Sequence, residues 1–133
     1  MITGLKVRLE PNNRQSSRLW QSAGTSRFAY NWALGRQQEN YKNGGKFIND
    51  GELRKEFTQL KNTPEYAWLY NYSNNITKQA IKDACVAYIN FFKGRADKPK
   101  FKGRRKSKPK FYQDTEKIKF TETHVRVEKV GWV

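Results

Sequence analysis

The stretch SNNITKQAIKDACVAYINFFKG, residues 73–94, has the clearest helical pattern in the chain. Its apolar side chains recur at a spacing of three to four residues, which places them on one face of an α-helix. They are Ile76, Ala80, Ala84, Ala87 or Tyr88, and Phe91. Ser73 or Asn74 is suited to cap the start of this helix, and Gly94 to end it. The stretch therefore predicts the longest helix of the chain.

Helical patterns also occupy most of the sequence before this stretch. Asn12 with Gln15, and Asn49 with Glu52, have the spacing of capping boxes at helix starts. We expect the helix after Asn12 to bury Leu19, Trp20 and Ala23, and Gly24 to break or kink it. The sequence further predicts a second helix over about 26–41 that stops at Gly44-Gly45, a helix with the stripe Leu53, Phe57 and Leu60, and a short turn opened by Pro64.

Alternating patterns at both ends of the chain predict strands. Leu5, Val7 and Leu9 alternate with charged residues before Pro11, and the same alternation occurs at 118–120 and 125–127. A lone strand or a two-stranded sheet is marginal in water, so the two ends are natural partners. The predicted fold class is α+β, with a helical bundle inserted between an N-terminal strand and the C-terminal strands of a small antiparallel sheet or barrel.

Positive charge is concentrated between these two parts. The 133 residues carry 27 Lys and Arg against 12 Asp and Glu, a formal net charge of +15. Ten of the basic residues fall within 93–110, where the single acidic residue is Asp97. Pro99, Pro109, Gly94 and Gly103 argue against a continuous helix there. An extended polycation suits a phosphate backbone. A lipid surface is disfavoured, because no hydrophobic anchor accompanies the basic run.

Weaker signals for nucleic-acid contact lie in the helical part. Amides, hydroxyls and a lysine cluster at the start of the long helix, over 71–79, where they could reach base edges, although ordinary capping explains them too. Arg14, Arg18, Arg27 and Arg36 are compatible with a further basic face, and equally with solubility.

Catalytic and metal-binding patterns are weak. The single His124 fits a strand-end position better than a general base, and the single Cys85 fits a buried thiol better than a nucleophile. The carboxylates are scattered, whereas metal-dependent phosphodiester cleavage needs them clustered. We therefore expect no catalytic residue, no metal and no cofactor. One cysteine, no apolar run of about 20 residues and no signal-peptide pattern favour a cytoplasmic, nucleoid-associated protein without a membrane partner.

Several segments together resemble TnpB (OrfB) proteins of insertion sequences, which are known as transposases and RNA-guided nucleases. The resemblance rests on six segments, in order along nearly the whole chain: LKVRLEPN (5–12), SRFAYNWAL (26–34), LRKEFTQLK (53–61) with WL (68–69), AYINFFKG (87–94), PKFK (99–102) and VGWV (130–133).

The resemblance implies a domain organisation. Residues 1–11 and 110–133 would form an incomplete, oligonucleotide-binding-like wedge region. Residues 12–94 would form a helical recognition lobe, also described as a helix-turn-helix domain, and 95–109 a basic connector. The family's RuvC-like nuclease half, with its three carboxylates and four-cysteine zinc module, has no counterpart in this sequence. We therefore expect the chain to bind nucleic acid without cleaving it.

The candidate site residues fall into two groups. From composition, the side chains expected on the nucleic-acid backbone are Lys98, Lys100, Lys102, Arg104, Arg105, Lys106, Lys108 and Lys110. From the resemblance, the side chains expected to read a target-adjacent DNA motif are Asp50, Arg54, Asn74, Asn75, Lys78, Tyr112 and Gln113.

The partners implied are guide RNA, double-stranded DNA, or both. Two alternative functions remain open at this point. The chain could be one half of a split nuclease that a RuvC-containing chain completes, or a stand-alone regulator or inhibitor that competes for RNA or DNA.

Overall fold

The computed structural model describes residues 4, 6–114 and 118–133 of the chain. Helices come first: α1 (Asn13–Lys42), α2 (Asp50–Lys61), a 3-10 helix (Pro64–Asn71) and α3 (Asn74–Phe92). A small sheet follows, formed by β1 (Ile118–Phe120), β2 (Val125–Val127) and β3 (Gly131–Trp132). The α+β class is confirmed. Within the described ranges, no helix is long and apolar enough to cross a membrane.

The two helices predicted on either side of Gly24 are one continuous helix, α1, of 30 residues. A glycine inside a helix costs only about 1 kcal/mol relative to alanine. Ser22, Ala23 and Thr25 are all buried around it, so packing on both sides holds the helix together across this position. The predicted break is therefore wrong. So is the prediction that the helix of residues 74–92 is the longest, since it has 19 residues. Ala23 is buried as expected, but Trp20 is 64% exposed.

The predicted helix starts are mostly confirmed. Asn12 and Gln15 form the complete capping box of α1, in which each side chain bonds the other residue's backbone N–H. The side chain of Asn49 accepts a hydrogen bond from the Glu52 N–H at 2.8 Å, and Ser73 caps α3. Gly44 and Gly94, with φ of 77° and 71°, follow the ends of α1 and α3, where a left-handed residue ends a helix most easily.

The core lies between α1 and α3. Ala29 and Ala33 of α1 and Ala80 and Ala84 of α3 all belong to it and are buried. Side chains of this size let two helix backbones approach closely. The other core members come from α2, the 3-10 helix and the middle of α3: Leu53, Phe57, Leu69, Ile81 and Cys85.

α1 and α3 run in the same direction. Near their starts, the Tyr72 hydroxyl donates a hydrogen bond to Gln21 at 2.9 Å. Near their ends, Gln37 contacts the Cys85 sulfur at 3.8 Å. The two helices therefore begin at one end of the lobe and finish together at the other.

The sheet is an antiparallel meander in the order β1-β2-β3. Ile118 pairs with Val127 and Phe120 with Val125, which confirms the predicted C-terminal strands and their hairpin. The N-terminal strand is wrong over residues 6–10, which form no strand; Leu5 lies outside the described residues. Val7 and Leu9 still line a groove with Phe120 and Val125. Alternation predicted a segment beside the sheet, but it carries no information about a hydrogen-bonding partner.

Arg18 fastens the sheet to the helices. Its Nε donates to the Lys129 carbonyl at 3.1 Å, and its Nη2 to the Asn71 carbonyl at 2.7 Å. Its guanidinium also lies 4.9 Å from the centre of the Tyr72 ring. Nearby, the Gln15 side chain donates to the Trp132 carbonyl. The first turns of α1 are thus the support on which the sheet rests.

The continuity of α1 gives the first testable prediction. A Cβ at Gly24 would meet only the end of Arg27, at 3.8 Å, which is ordinary contact. We expect Gly24→Ala to raise the free energy of unfolding by about 0.5–1 kcal/mol, because alanine loses less backbone entropy in a helix. Urea unfolding followed by circular dichroism measures this.

Gly44→Ala is the matched control. Its surroundings are equally open, but its φ is +77°, so alanine there should lower the free energy of unfolding. A destabilised Gly24→Ala variant would contradict the continuous helix.

Candidate nucleic-acid interface

The basic connector runs back along α1 from its end towards its start. Lys98 shares a cavity with Gln38 and Tyr41. A Cβ added to Gly35 would lie 3.8 Å from the Phe101 ring, so this ring packs against the bare backbone of the helix. Further along, Lys108 and Pro109 line a groove with Leu19 and Trp20. The connector is therefore antiparallel to α1 along much of the helix.

Asn31 holds the centre of the connector. Its side-chain amide donates to the Lys102 carbonyl at 2.9 Å, and its Oδ1 accepts from the Lys102 N–H at 2.8 Å. The side chain thus pairs with the connector backbone as a neighbouring strand would. These two bonds position the connector without using any of its charged side chains.

The predicted backbone-binding side chains are almost all free for a partner. Seven of the eight are exposed, Lys102 being the half-buried one. Among the residues that the structure describes, none of the eight forms an ion pair. Arg104, Arg105 and Lys106 occupy a turn in which the Ser107 N–H donates to the Gly103 carbonyl at 3.0 Å. The polycation therefore has a defined backbone path, and no carboxylate in the described part of the chain is paired with it.

Lys102 differs from the other seven. Its Nζ lies 4.2 Å from the centre of the Tyr30 ring, a cation–π contact. Burial, with a smaller effect from Lys110, lowers the pKa of Lys102. Its side chain already packs within the protein, while its backbone is bonded to Asn31.

Four predicted motif-reading residues meet where α2 faces α3. Arg54, Asn74 and Lys78 line one groove of about 360 Å³, together with Thr58 and Thr77. Asp50 lies beside them, with its Oδ2 3.6 Å from Arg54 Nη2. A carboxylate in the first turn of α2 also suits the helix dipole, which gives Asp50 a structural role. The groove presents amide, hydroxyl and cationic groups, the chemistry that base edges and phosphates require.

The other three predicted motif-reading residues approach the start of α3 separately. Gln113 donates to the Ser73 hydroxyl at 3.1 Å, so the segment after the connector reaches the cap of this helix. Tyr112 is exposed beside Tyr30 and Gln79, and a hydrogen bond to Asp114 raises its pKa. The Asn75 N–H is bonded to the Ser73 hydroxyl. The predicted set therefore surrounds the first turn of α3 but does not form one continuous groove.

Lys61 is a contact that the sequence did not indicate. It is only 7% exposed, and its Nζ lies 3.5 Å from Asn74 Oδ1 and 4.4 Å from the centre of the Tyr70 ring. Burial lowers its pKa. This lysine supports the side chain of Asn74 from below the groove.

Two of the four arginines suggested for a further basic face on α1 form contacts within the protein. Arg36 binds Glu56 at 2.7 Å and Glu39 at 3.1 Å, and the hydrogen bond with Glu56 raises its pKa. Arg18 holds the sheet. These two arginines are engaged within the protein, so the solubility interpretation does not describe them either.

The residues considered for catalysis have ordinary structural surroundings. Burial raises the pKa of the Cys85 thiol to about 11, so it remains protonated near neutral pH. His124 is exposed at the β1–β2 turn, with its Nδ1 2.8 Å from the Thr123 hydroxyl. Within the described residues, no group of three or more His, Cys, Asp or Glu could hold a metal ion.

Comparison with known proteins shows to which family the sequence belongs. A helix-turn-helix domain model of the OrfB/IS605 type matches residues 1–46. Over 132 residues, the chain is 33% identical to InsQ of Escherichia coli K12, which is named as a candidate RNA-guided DNA endonuclease. This alignment covers 99% of the chain and 33% of InsQ. The sequence is that of an N-terminal region of the TnpB/OrfB family.

A second relative agrees. Over 103 residues, the chain is 29% identical to a protein of Streptomyces pristinaespiralis that is also named as a candidate RNA-guided DNA endonuclease, covering 77% of the chain and 26% of that protein. The chain thus spans about a third of the length of the TnpB/OrfB relatives it matches. In the described part of the helix-turn-helix match, the only helix is α1.

Sequence reasoning missed the residues that support this surface. Asn31 lies inside the SRFAYNWAL segment that resembles the TnpB/OrfB family. Its signal was an amide among aromatic and aliphatic residues of a helix, where a polar side chain needs a partner. That the partner is Lys102, 71 positions away, follows only from the fold.

We expect Asn31→Ala to loosen the connector without unfolding the helices. Losing two backbone-directed hydrogen bonds, each contributing about 0.5–1.5 kcal/mol, should increase the hydrogen-exchange rate of the Lys102 amide by roughly 5- to 150-fold. Amide exchange followed by NMR measures this. The control is Gln79→Ala, which removes an exposed side-chain hydrogen bond to Asp83. If the Lys102 amide of Asn31→Ala exchanges at the wild-type rate, Asn31 does not hold the connector.

Proposed function

We propose that this chain is the nucleic-acid-binding N-terminal module of a TnpB-like, transposon-encoded RNA-guided DNA nuclease. In this proposal it binds the guide RNA scaffold and target-adjacent DNA and has no catalytic centre of its own. The two relatives are both named as candidate RNA-guided DNA endonucleases, which supports the choice of RNA and DNA as partners.

One observation carries the proposal: Asn31 holds the connector backbone in place, while the connector's basic side chains have no carboxylate partner among the described residues. A mobile polycation must be ordered on binding, which costs conformational entropy. Here Asn31 and the Phe101–Gly35 contact order the backbone in advance. Side chains free of protein carboxylates can then contact phosphates and release condensed counterions, the main source of sequence-independent affinity.

The groove between α2 and α3 is proposed to supply sequence preference. Phosphate contacts position a protein, whereas base-edge contacts specify the sequence. Asn74 can form paired hydrogen bonds with an adenine edge, and Arg54 or Lys78 can bond guanine. The connector thus supplies affinity, and the groove supplies sequence preference.

The domain organisation stays a prediction. It assigns residues 1–11 and 110–133 to an incomplete wedge region, 12–94 to a helical recognition lobe and 95–109 to the basic connector.

The role of the connector is tested by replacing Arg104, Arg105 and Lys106 together with glutamine. For duplex DNA, the slope of log affinity against log salt concentration should fall by about 2–3, since each phosphate contact contributes about 0.9. The loss should be similar for unrelated sequences. Fluorescence anisotropy at several salt concentrations measures it.

A control with the same change in net charge replaces Lys6, Lys82 and Lys119 with glutamine; these side chains are exposed elsewhere. If affinity depends only on total charge, the two triple variants will behave alike, and the proposed role of the connector is wrong.

The role of the groove is tested with Asn74→Ala and Lys78→Ala. Loss of a base contact should cost about 1–3 kcal/mol at the preferred base pair and little elsewhere. Selection from a randomised duplex pool, with wild type in parallel, measures the preference at each position. Should these variants weaken binding to every sequence equally, as the connector variant is expected to do, the division between affinity and preference fails.

A further inference from the structure

Aromatic residues gather where α1 and α3 end together. The cluster comprises Tyr41 of α1, Phe47 after it, and Tyr88, Phe91 and Phe92 of α3; we call it the aromatic cluster. The Phe92 ring lies 6.2 Å from Phe47, 5.7 Å from Tyr88 and 5.7 Å from Phe91, measured between centres. Phe47 meets Phe92 edge-on, at an interplanar angle of 83°.

The cluster adjoins the hydrophobic core, and its outer rings are open to solvent. None of its members belongs to the core set between α1, α2 and α3. Phe92 is 54% exposed and Tyr41 73%, while Tyr88 is buried and supports the other rings from below. Exposed rings that rest on a buried aromatic side chain offer aromatic surface to a partner.

A cavity of about 740 Å³ opens at this surface. Tyr41, Tyr88, Phe91 and Phe92 supply its apolar wall, and the remaining lining comes from Gln38, Lys42 and Lys98. Its volume lies within the usual range for small-ligand clefts. An amide and two ammonium groups beside clustered aromatic rings match a nucleotide: the rings suit a base face, the amide a base edge and the cations a phosphate.

We propose that the aromatic cluster stacks an unpaired nucleotide of the guide RNA. This inference rests on the proposed function. It adds a third RNA contact, distinct from the α2–α3 groove. The connector shares only Lys98 with it. Bases of duplex DNA are stacked inside the helix, so their faces cannot reach the rings. RNA scaffolds contain unpaired bases, and proteins recognise these by stacking on aromatic side chains.

Charge favours RNA over a protein partner for this surface. Five basic residues border the cluster along the chain: Lys42, Lys46, Lys93, Arg95 and Lys98. The neighbouring acidic residues are Glu39, Asp97 and Asp50, which pairs with Arg54. Glu39 is bonded to Arg36. A protein that buried the rings would also have to neutralise this cationic border, while the phosphates of an RNA strand do so directly.

The experiment compares Tyr41→Leu/Phe92→Leu with wild type. Leucine keeps apolar bulk but removes the ring, so stability should be retained while stacking is lost. We expect affinity for a fluorescently labelled single-stranded RNA to fall by about 5- to 100-fold per stacked base. Affinity for a blunt DNA duplex should stay within about twofold, and the salt slope should not change, because no phosphate contact is removed.

The matched control is Phe120→Leu/Trp132→Leu, which removes two exposed aromatic side chains outside the cluster. It should bind RNA as wild type does. A Phe92→Trp variant should keep the RNA affinity, since indole stacks at least as well. A thermal unfolding midpoint within a few degrees of wild type confirms that each variant folds; should the leucine pair fail this, Tyr41→Leu alone, at an exposed position on the last turn of α1, must still weaken RNA binding.

The outcomes separate this inference from the proposed function. If the leucine pair binds RNA normally while the Arg104/Arg105/Lys106 variant loses affinity, the inference is overturned. If that connector variant also binds normally, the proposed function itself fails. Equal losses for the leucine pair and its control would likewise overturn the inference, because exposed aromatic area in general would then explain the binding.

Discussion

The close packing of α1 on α3 is the constraint on which the rest of the structure depends. Alanines on both helices, Ala29 and Ala33 against Ala80 and Ala84, keep the interface thin. Larger side chains would separate the helices and force neighbouring side chains out of their preferred rotamers. Because the two helices run in the same direction, this one interface sets both ends of the lobe. The α2–α3 groove and the cap of α3 lie towards one end, and the aromatic cluster lies at the other.

The connector depends on this scaffold because it has little structure of its own. With Pro99, Gly103 and Pro109 it forms no helix, and it forms no strand. Its position comes from α1: the amide of Asn31 bonds its backbone, and the Phe101 ring packs beside Gly35. A rigid helix thereby fixes a row of cations at the surface, so that much of the ordering entropy is lost on folding and not on binding.

Positive charge has two different roles in this small chain. Arg18, Arg36 and Lys61 are engaged by carbonyls, carboxylates or aromatic rings and hold the fold together. The connector's lysines and arginines, Lys102 apart, are exposed and have no carboxylate partner within the described ranges. Mutual repulsion among such charges disfavours the compact state until an anion neutralises them. The same sum of charge, +15, therefore hides a division between supporting and available groups.

Local patterns were sufficient for the elements whose physics is local. Capping at Asn12, Asn49 and Ser73, the C-terminal hairpin and the position of the basic connector all follow from residues within a few positions of one another. The continuity of α1 through Gly24 could not be predicted, because a local cost of about 1 kcal/mol is offset by packing against distant residues. The missing strand at residues 6–10 has a related cause, since alternation sets a face but not a hydrogen-bonding partner.

Pairings between remote residues, such as Asn31 with Lys102 and Phe47 with Phe92, were decided by tertiary structure alone. The sequence determined which groups carry charge, aromatic area and helix caps; the fold decided which of them meet, because contact between distant residues depends on how the helices pack.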